Sequence, residues 1–218
     1  MRVAAAFVLI LALSSPALPA KKKSLGYGKT IPMQVVEIPG AAENFAAAGR
    51  DCVGDAWAAA VVTLLRPYKI KFDVSHWVVK AFGGDKCVQS LPPVEKLMSY
   101  VEGVYILEGN RRVRITAAVQ PGAPRSVDAL IVSLRKGRPI LFLWKGRPYL
   151  LYGLLYDENV KNTGQREFYI REFRLIDPLF APGKAERTRI FLRDRDDAAA
   201  IDALITLHVE ERSFGQLE

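Results

Sequence analysis

The chain has few residues of the kinds that catalyse reactions through thiol or imidazole groups. Its 218 residues include only two cysteines, Cys52 and Cys87, and two histidines, His76 and His208. Neither pair has the close spacing of a structural zinc site, so we expect no metal, and no motif indicates a cofactor. We also expect the histidines to be surface or half-buried residues rather than catalytic bases.

Long apolar runs are also missing, because none approaches the roughly 20 residues that span a bilayer. The longest is Val3 to Leu13, which follows Arg2 and is followed by small residues and prolines up to Ala20. A charged start, a short apolar core and a small-residue end are typical of a secretory signal peptide, and a membrane anchor is the less favoured alternative. We therefore expect residues 1–20 to be removed, and the mature protein to be secreted or periplasmic without membrane contact.

An even number of cysteines in an exported chain favours one disulfide, here between Cys52 and Cys87. The charge gives less information about partners. The 31 lysines and arginines exceed the 23 acidic residues, for a net charge of +8, but the basic residues are scattered and interleaved with acidic ones. This pattern is typical of a solvated surface, so we expect no nucleic-acid partner.

Helical patterns come first in the chain and strand patterns follow. An unbroken apolar helix is predicted at 56–65, and it must be buried on nearly all sides. Further helices are predicted at 73–84, 93–101 and 126–136, and strands at 33–38, 104–115 (a hairpin), 140–144, 149–156, 167–176 and 189–192, with a last helix from Ala198. This segregation of helices from strands predicts an α+β domain with an antiparallel sheet.

The sequences of several segments resemble those of the papain-like cysteine peptidase clan, most nearly the bacteriocin-processing-peptidase-like and plant-pathogen effector cysteine protease families. Those families have a Cys-Trp-Ala-Ala helix where this chain has Ala56-Trp57-Ala58-Ala59. A second helix ending in Phe-Gly, a cysteine-containing loop, a helix followed by Gly-Arg-Pro, and a strand ending in Asp-Pro then follow in the family order, ending here at Asp177-Pro178. The resemblance covers residues 49–180.

The resemblance implies a papain-like domain at 49–180, in which helices around a central buried helix pack on a C-terminal antiparallel sheet. Residues 1–20 are the signal peptide, 21–48 an N-terminal extension, and 181–218 a C-terminal extension that packs on the same domain. The resemblance also implies a disulfide between a cysteine just before the nucleophile position and a cysteine after the next helix. In this chain these two cysteines are Cys52 and Cys87.

The same resemblance places Ala56 at the nucleophile position and Arg147 or Pro148 at the histidine position. Alanine cannot serve as a nucleophile, and neither arginine nor proline can serve as a base near neutral pH. No glutamine precedes the helix to stabilise an oxyanion. Only Asp177 keeps the identity of the orienting acid, and an Asp-Pro turn is the favoured explanation of this residue.

The sequence therefore favours a secreted papain-like protein without catalysis that keeps a cleft for a peptide or protein. Asp55, Trp57, Trp144 and Tyr149 are the candidate residues of that cleft. One alternative is an active thiol peptidase or hydrolase that uses Cys52 with an unusual base such as His76. Another is a structural interaction domain with no cleft function. The oligomeric state is not predicted.

Overall fold

The computed structural model describes residues 27–84, 86–124, 126–182, 187–191 and 195–212. The predicted signal peptide at 1–20 lies outside the described residues. The helices are Val53–Leu65 (α1), Val74–Phe82 (α2), Val94–Val101 (α3), Val127–Arg135 (α4) and Arg195–Ala199 (α5). The strands are Tyr27–Glu37 (β1), Gly103–Ile106 (β2), Arg112–Pro121 (β3), Ile140–Trp144 (β4), Arg147–Lys161 (β5), Arg166–Ile176 (β6), Arg187–Phe191 (β7) and Ile201–Arg212 (β8).

The strands form one antiparallel sheet in the order β2-β3-β8-β4-β5-β6-β7. The 15-residue strand β5 organises one half of it. Its beginning pairs with β4, its remainder pairs with β1, and β6 pairs along the other edge. The predicted α+β class is confirmed, since three helices precede most of an antiparallel sheet.

Helix α1 is buried at all thirteen positions. Its residues are apolar on every side, apart from Asp55 and Thr63, so it gains free energy from contact in all directions. It packs against α2 on one side and against β4, β5 and β8 of the sheet on another. Arg66-Pro67 ends it, because proline has no amide hydrogen to continue the helical ladder.

Two apolar clusters cover the two faces of the sheet. Leu141, Leu143 and Leu150 face α1 and its neighbouring helices, whereas Phe142 and Tyr149 face the other way. Helix α4 contributes Leu130, Ile131 and Leu134 to the second cluster. Alternation along β4 and β5 therefore tells which side of the sheet each residue occupies.

The last described segment differs from the sequence prediction. A helix is expected from Ala198, but α5 ends at Ala199 and residues 201–212 form strand β8. This strand lies inside the sheet, between β3 and β4, and hydrogen-bonds to both. Pairing on two edges outweighs the local helical preference of this segment. In the part of the chain that the structure describes, no helix combines the length and the hydropathy that a membrane crossing needs.

Candidate functional site

A groove of about 760 Å³ lies where the helical half of the domain meets the sheet. One wall is formed by residues 89–94 together with Asp51 and Val53, next to the start of α1. The opposite wall is formed by residues of the sheet and of its connecting turns, namely Leu143, Lys145, Gly146, Arg147, Leu179 and Asp202. The groove therefore runs between the first turn of α1 and the start of β5.

A disulfide between Cys52 and Cys87 holds the helical wall in place. It confirms the predicted pairing and joins the N-cap residue of α1 to the loop that follows α2, with the two Cα atoms 5.4 Å apart. The Gly54 amide donates to the Val88 carbonyl at 3.0 Å, and Gln89 Nε2 donates to the Asp51 carbonyl at 3.1 Å. Three connections in succession thus fix loop 87–89 against the helix.

Beside this wall, Asp55 is buried in the first turn of α1 and pairs with Arg50. Arg50 Nε donates to Asp55 Oδ2 at 2.9 Å and Nη2 donates to Oδ1 at 3.0 Å. Both carboxylate oxygens are therefore engaged by one guanidinium, which offsets the cost of burying the charge. Asp55 acts as a structural partner of Arg50 and does not face the groove as a free acid.

The sheet wall is shaped by the two-residue turn that joins β4 to β5. Lys145 and Gly146 both have positive φ, 51° and 72°, as the tightest hairpins require. Asp202 accepts a hydrogen bond from the Gly146 amide at 2.8 Å, and Lys145 Nζ lies 2.9 Å from Asp197 Oδ1. These contacts fix the turn, and hence Arg147 directly after it.

Arg147 and Asp177 form an ion pair at the groove. Arg147 Nη2 donates to Asp177 Oδ2 at 3.3 Å, and the Leu179 amide donates to Asp177 Oδ1 at 2.9 Å. The carboxylate is 8% exposed and the arginine side chain 45% exposed. A buried acid, held by the turn that follows β6, therefore anchors a cation that reaches the solvent.

Strand register separates Arg147 from Pro148, the two residues predicted for the histidine position. Pro148 is buried and lies opposite Leu143, which belongs to the cluster that faces α1. Arg147 lies opposite Trp144, which packs on the other cluster. Directly opposite residues of an antiparallel pair share a face of the sheet. Pro148 thus occupies the face toward α1. Arg147 begins on the opposite face, but it is the first residue after the turn at the end of the sheet, where its side chain contacts Asp177 and lines the groove.

The predicted nucleophile position, Ala56, lies at the end of the first turn of α1, which begins at Val53. It is 1% exposed, and its amide donates to the Cys52 carbonyl at 3.0 Å. The groove consequently lies near Ala56 but is lined by Val53 and not by Ala56 itself.

The four residues predicted for the cleft do not line this groove. Asp55 is paired with Arg50, and Trp57 is fully buried beside Phe82. Trp144 and Tyr149 contact each other on the sheet face that α4 covers. The sequence does not reveal this arrangement, because a one-residue shift along a strand moves a side chain to the opposite face.

Tyr149 is nevertheless electrostatically close to the ion pair. Burial raises the pKa of the Tyr149 phenol, Arg147 and Lys145 act to lower it, and Asp177 acts to raise it further. Sequence reasoning missed Lys145, Asp202 and the wall at 89–94. The tight turn before Arg147 is the one signal that could have identified the sheet wall.

The two histidines lie away from the groove. His76 is exposed on α2 and stacks on Phe72 at 4.6 Å between ring centroids, and desolvation together with Lys80 lowers its pKa. His208 is exposed on β8. Among the described residues, no three histidine, cysteine or acidic side chains are grouped so that they could hold a metal ion.

Comparison with known proteins gives limited information. No protein-family model matches the chain, and no curated protein matches it in sequence. Among solved structures, it is similar to the peptidase domain of Streptococcus ComA, a bifunctional ABC transporter involved in a quorum-sensing pathway, at 10% identity and a TM-score of 0.41. The match covers 76% of this chain and 97% of that domain.

Proposed function

We propose that this chain is an exported papain-like protein that has lost thiol catalysis and uses the groove to bind an extended peptide segment of a partner. The observation that carries this proposal is the Arg147–Asp177 ion pair at the groove. A thiol peptidase needs an acid that orients an imidazole. In this chain the candidate for that acid, Asp177, is bound to the Arg147 guanidinium instead.

Thiol catalysis needs a cysteine at the start of the buried helix and a base on the facing strand. Ala56 has no reactive atom, and the face of β5 toward α1 presents Pro148. Arginine stays protonated at all physiological pH values, so Arg147 cannot accept a proton. Nothing at these positions can generate a thiolate.

Cys52 does not replace the missing nucleophile. It is bonded to Cys87, so it offers no thiol, and the chain contains no other cysteine. His76, the base proposed with it, packs on Phe72 at the outer surface of α2. The alternative of a thiol hydrolase that uses Cys52 therefore lacks its nucleophile, and the base named with it does not line the groove.

Two walls built from different parts of the chain support peptide binding in the groove. The helical wall offers apolar side chains and the prolines Pro92 and Pro93, while the sheet wall offers cations and backbone. Extended peptides use such mixed surfaces, because apolar pockets provide affinity and polar groups fix register. The remaining alternative, an interaction domain with no groove function, predicts that blocking the groove has no effect.

A binding experiment with a matched pair of variants tests the proposal. Pools of fluorescein-labelled random hexapeptides are applied to the immobilised mature protein, and the bound fraction is measured. Ser90 lines the groove and is exposed, whereas Ser99 is exposed on α3 and does not line it. We expect Ser90→Trp to abolish retention and Ser99→Trp to leave it unchanged. Equal retention by both variants would contradict groove binding.

A second experiment addresses the loss of catalysis. The mature protein is incubated with the same pools, and the products are analysed by mass spectrometry with and without iodoacetamide. We expect intact peptides in both samples. Cleavage that iodoacetamide abolishes would show an active thiol and would overturn the proposal.

A further inference from the structure

Arg147 has hydrogen-bonding capacity that the fold does not use. A guanidinium carries five N–H donors, and among the described residues the Arg147 side chain makes one hydrogen bond, to Asp177. Its side chain is 45% exposed and lines the groove. The remaining donors are therefore available to a ligand in the groove.

The arginine is also held in position before any ligand arrives. Asp177 is fixed through both oxygens, one by the Leu179 amide and the other by Arg147. The Arg147 backbone directly follows a turn that Asp202 secures through the Gly146 amide. A guanidinium anchored in this way loses little conformational entropy on binding, which favours affinity.

We propose that Arg147 binds a carboxylate of the peptide in the groove. The inference rests on the proposed function and names the chemistry that the groove recognises. Arginine is suited to this task, since its planar fork pairs with both oxygens of a carboxylate. Asp51 and Asp202 also line the groove and repel a negative charge, so the carboxylate is accepted only where Arg147 contacts it directly.

The carboxylate can come from the C-terminus of the peptide or from an acidic side chain, and matched pools distinguish the two sources. The first comparison uses random hexapeptides without acidic residues, made with a free C-terminal carboxylate or with a carboxamide. The second comparison uses carboxamide hexapeptides that contain one glutamate or one glutamine at the same position. All four pools are measured with the mature wild-type protein and with Arg147→Gln.

We expect one carboxylate-containing pool to bind more tightly than its neutral counterpart by about 10-fold to 100-fold, the range of a hydrogen-bonded charge pair. Arg147→Gln is expected to remove that difference, so that each carboxylate-containing pool binds to the variant no more tightly than its neutral counterpart. A difference in the first comparison assigns the C-terminus, and one in the second assigns a side chain. Either result supports the inference.

The inference and the proposed function fail in different ways. If all four pools bind equally to both proteins while Ser90→Trp still prevents binding, the groove binds peptides but Arg147 does not select a carboxylate. If no pool binds to the wild-type protein, both are overturned. Arg147→Lys keeps the charge without the fork, and we expect it to recover only part of the selectivity. If Arg147→Gln fails to fold, the comparison of the pools on the wild-type protein and on Arg147→Lys still tests whether Arg147 selects a carboxylate.

Discussion

The Arg147 guanidinium lies 3.3 Å from the Asp177 carboxylate, where β5 begins and β6 has just ended. The two residues are 30 positions apart in sequence, and the long hairpin of β5 and β6 brings them together. One oxygen of the Asp177 carboxylate accepts from Arg147, and the other accepts from the Leu179 amide. The pair therefore places a positive charge in a fixed position at the groove.

The register of β5 predicts which residue must be changed to rebuild a thiol site. We expect Ala56→Cys combined with Pro148→His to give a cysteine with a lowered pKa, because position 148 is on the sheet face toward α1. The rate of iodoacetamide alkylation as a function of pH measures that pKa. Alkylation should remain fast at about pH 6, where an ordinary thiol is almost fully protonated.

Two controls accompany this experiment. Ala56→Cys alone should show a higher thiol pKa than the combination with Pro148→His, because it has no imidazole beside it. Ala56→Cys with Arg147→His should resemble Ala56→Cys alone, since residue 147 is on the other face. If the Arg147→His combination gave the more reactive cysteine, the assignment of Pro148 to the histidine position would be wrong.

The disulfide is expected to contribute substantially to stability. Cys52 and Cys87 are separated by 35 positions, and closing a loop of that length stabilises by about 3 to 4 kcal/mol in the chain-entropy model. The paired substitution of both cysteines by alanine should lower the free energy of unfolding by about this amount. Urea denaturation measures it, and wild-type protein in reductant should behave in the same way. An unchanged urea midpoint in reductant would contradict the prediction.

Close packing at the helical wall makes Gly54 sensitive to substitution. A Cβ atom at this position would lie 3.0 Å from Phe82 Cε2 and 3.1 Å from Val88 Cβ. We expect Gly54→Ala to destabilise the protein by about 1 to 3 kcal/mol, because the neighbouring side chains are themselves packed. Gly49→Ala is the matched control, since nothing lies within 4 Å of its Cβ position. Equal urea midpoints for the two variants would show that α1 can shift to accept the methyl group.

Tyr105 predicts a loss of stability at alkaline pH. Burial raises its pKa from 10.0 to about 12, and its hydroxyl donates to the Val101 carbonyl at 2.7 Å. Between pH 10 and about pH 12 the unfolded chain releases this proton while the folded chain keeps it, so stability falls as pH rises. Urea midpoints across that range should fall less steeply for Tyr105→Phe. Parallel slopes for the two proteins would show that Tyr105 is not responsible.

Much of the fold could be predicted from sequence because the relevant signals are local. The uninterrupted apolar run of α1 predicts a buried helix, and the order of helices and strands predicts the α+β class. The disulfide also follows from the sequence, given two cysteines in a chain that begins like an exported protein. β8 could not be predicted, because its conformation depends on pairing with β3 and β4, which precede it by more than fifty residues.

The sequence by itself determined that positions 56 and 148 carry neither a nucleophile nor a base, since alanine and proline lack such groups in any fold. Only the tertiary structure decided where the remaining groups lie. Strand alternation places Tyr149 and Trp144 on the sheet face away from α1. Arg50 forms an ion pair with Asp55. The β5–β6 hairpin brings Arg147 within hydrogen-bond distance of Asp177. The physical reason is that the face of a strand and the partner of a charge are set by pairing register between distant segments, which composition and local pattern do not encode.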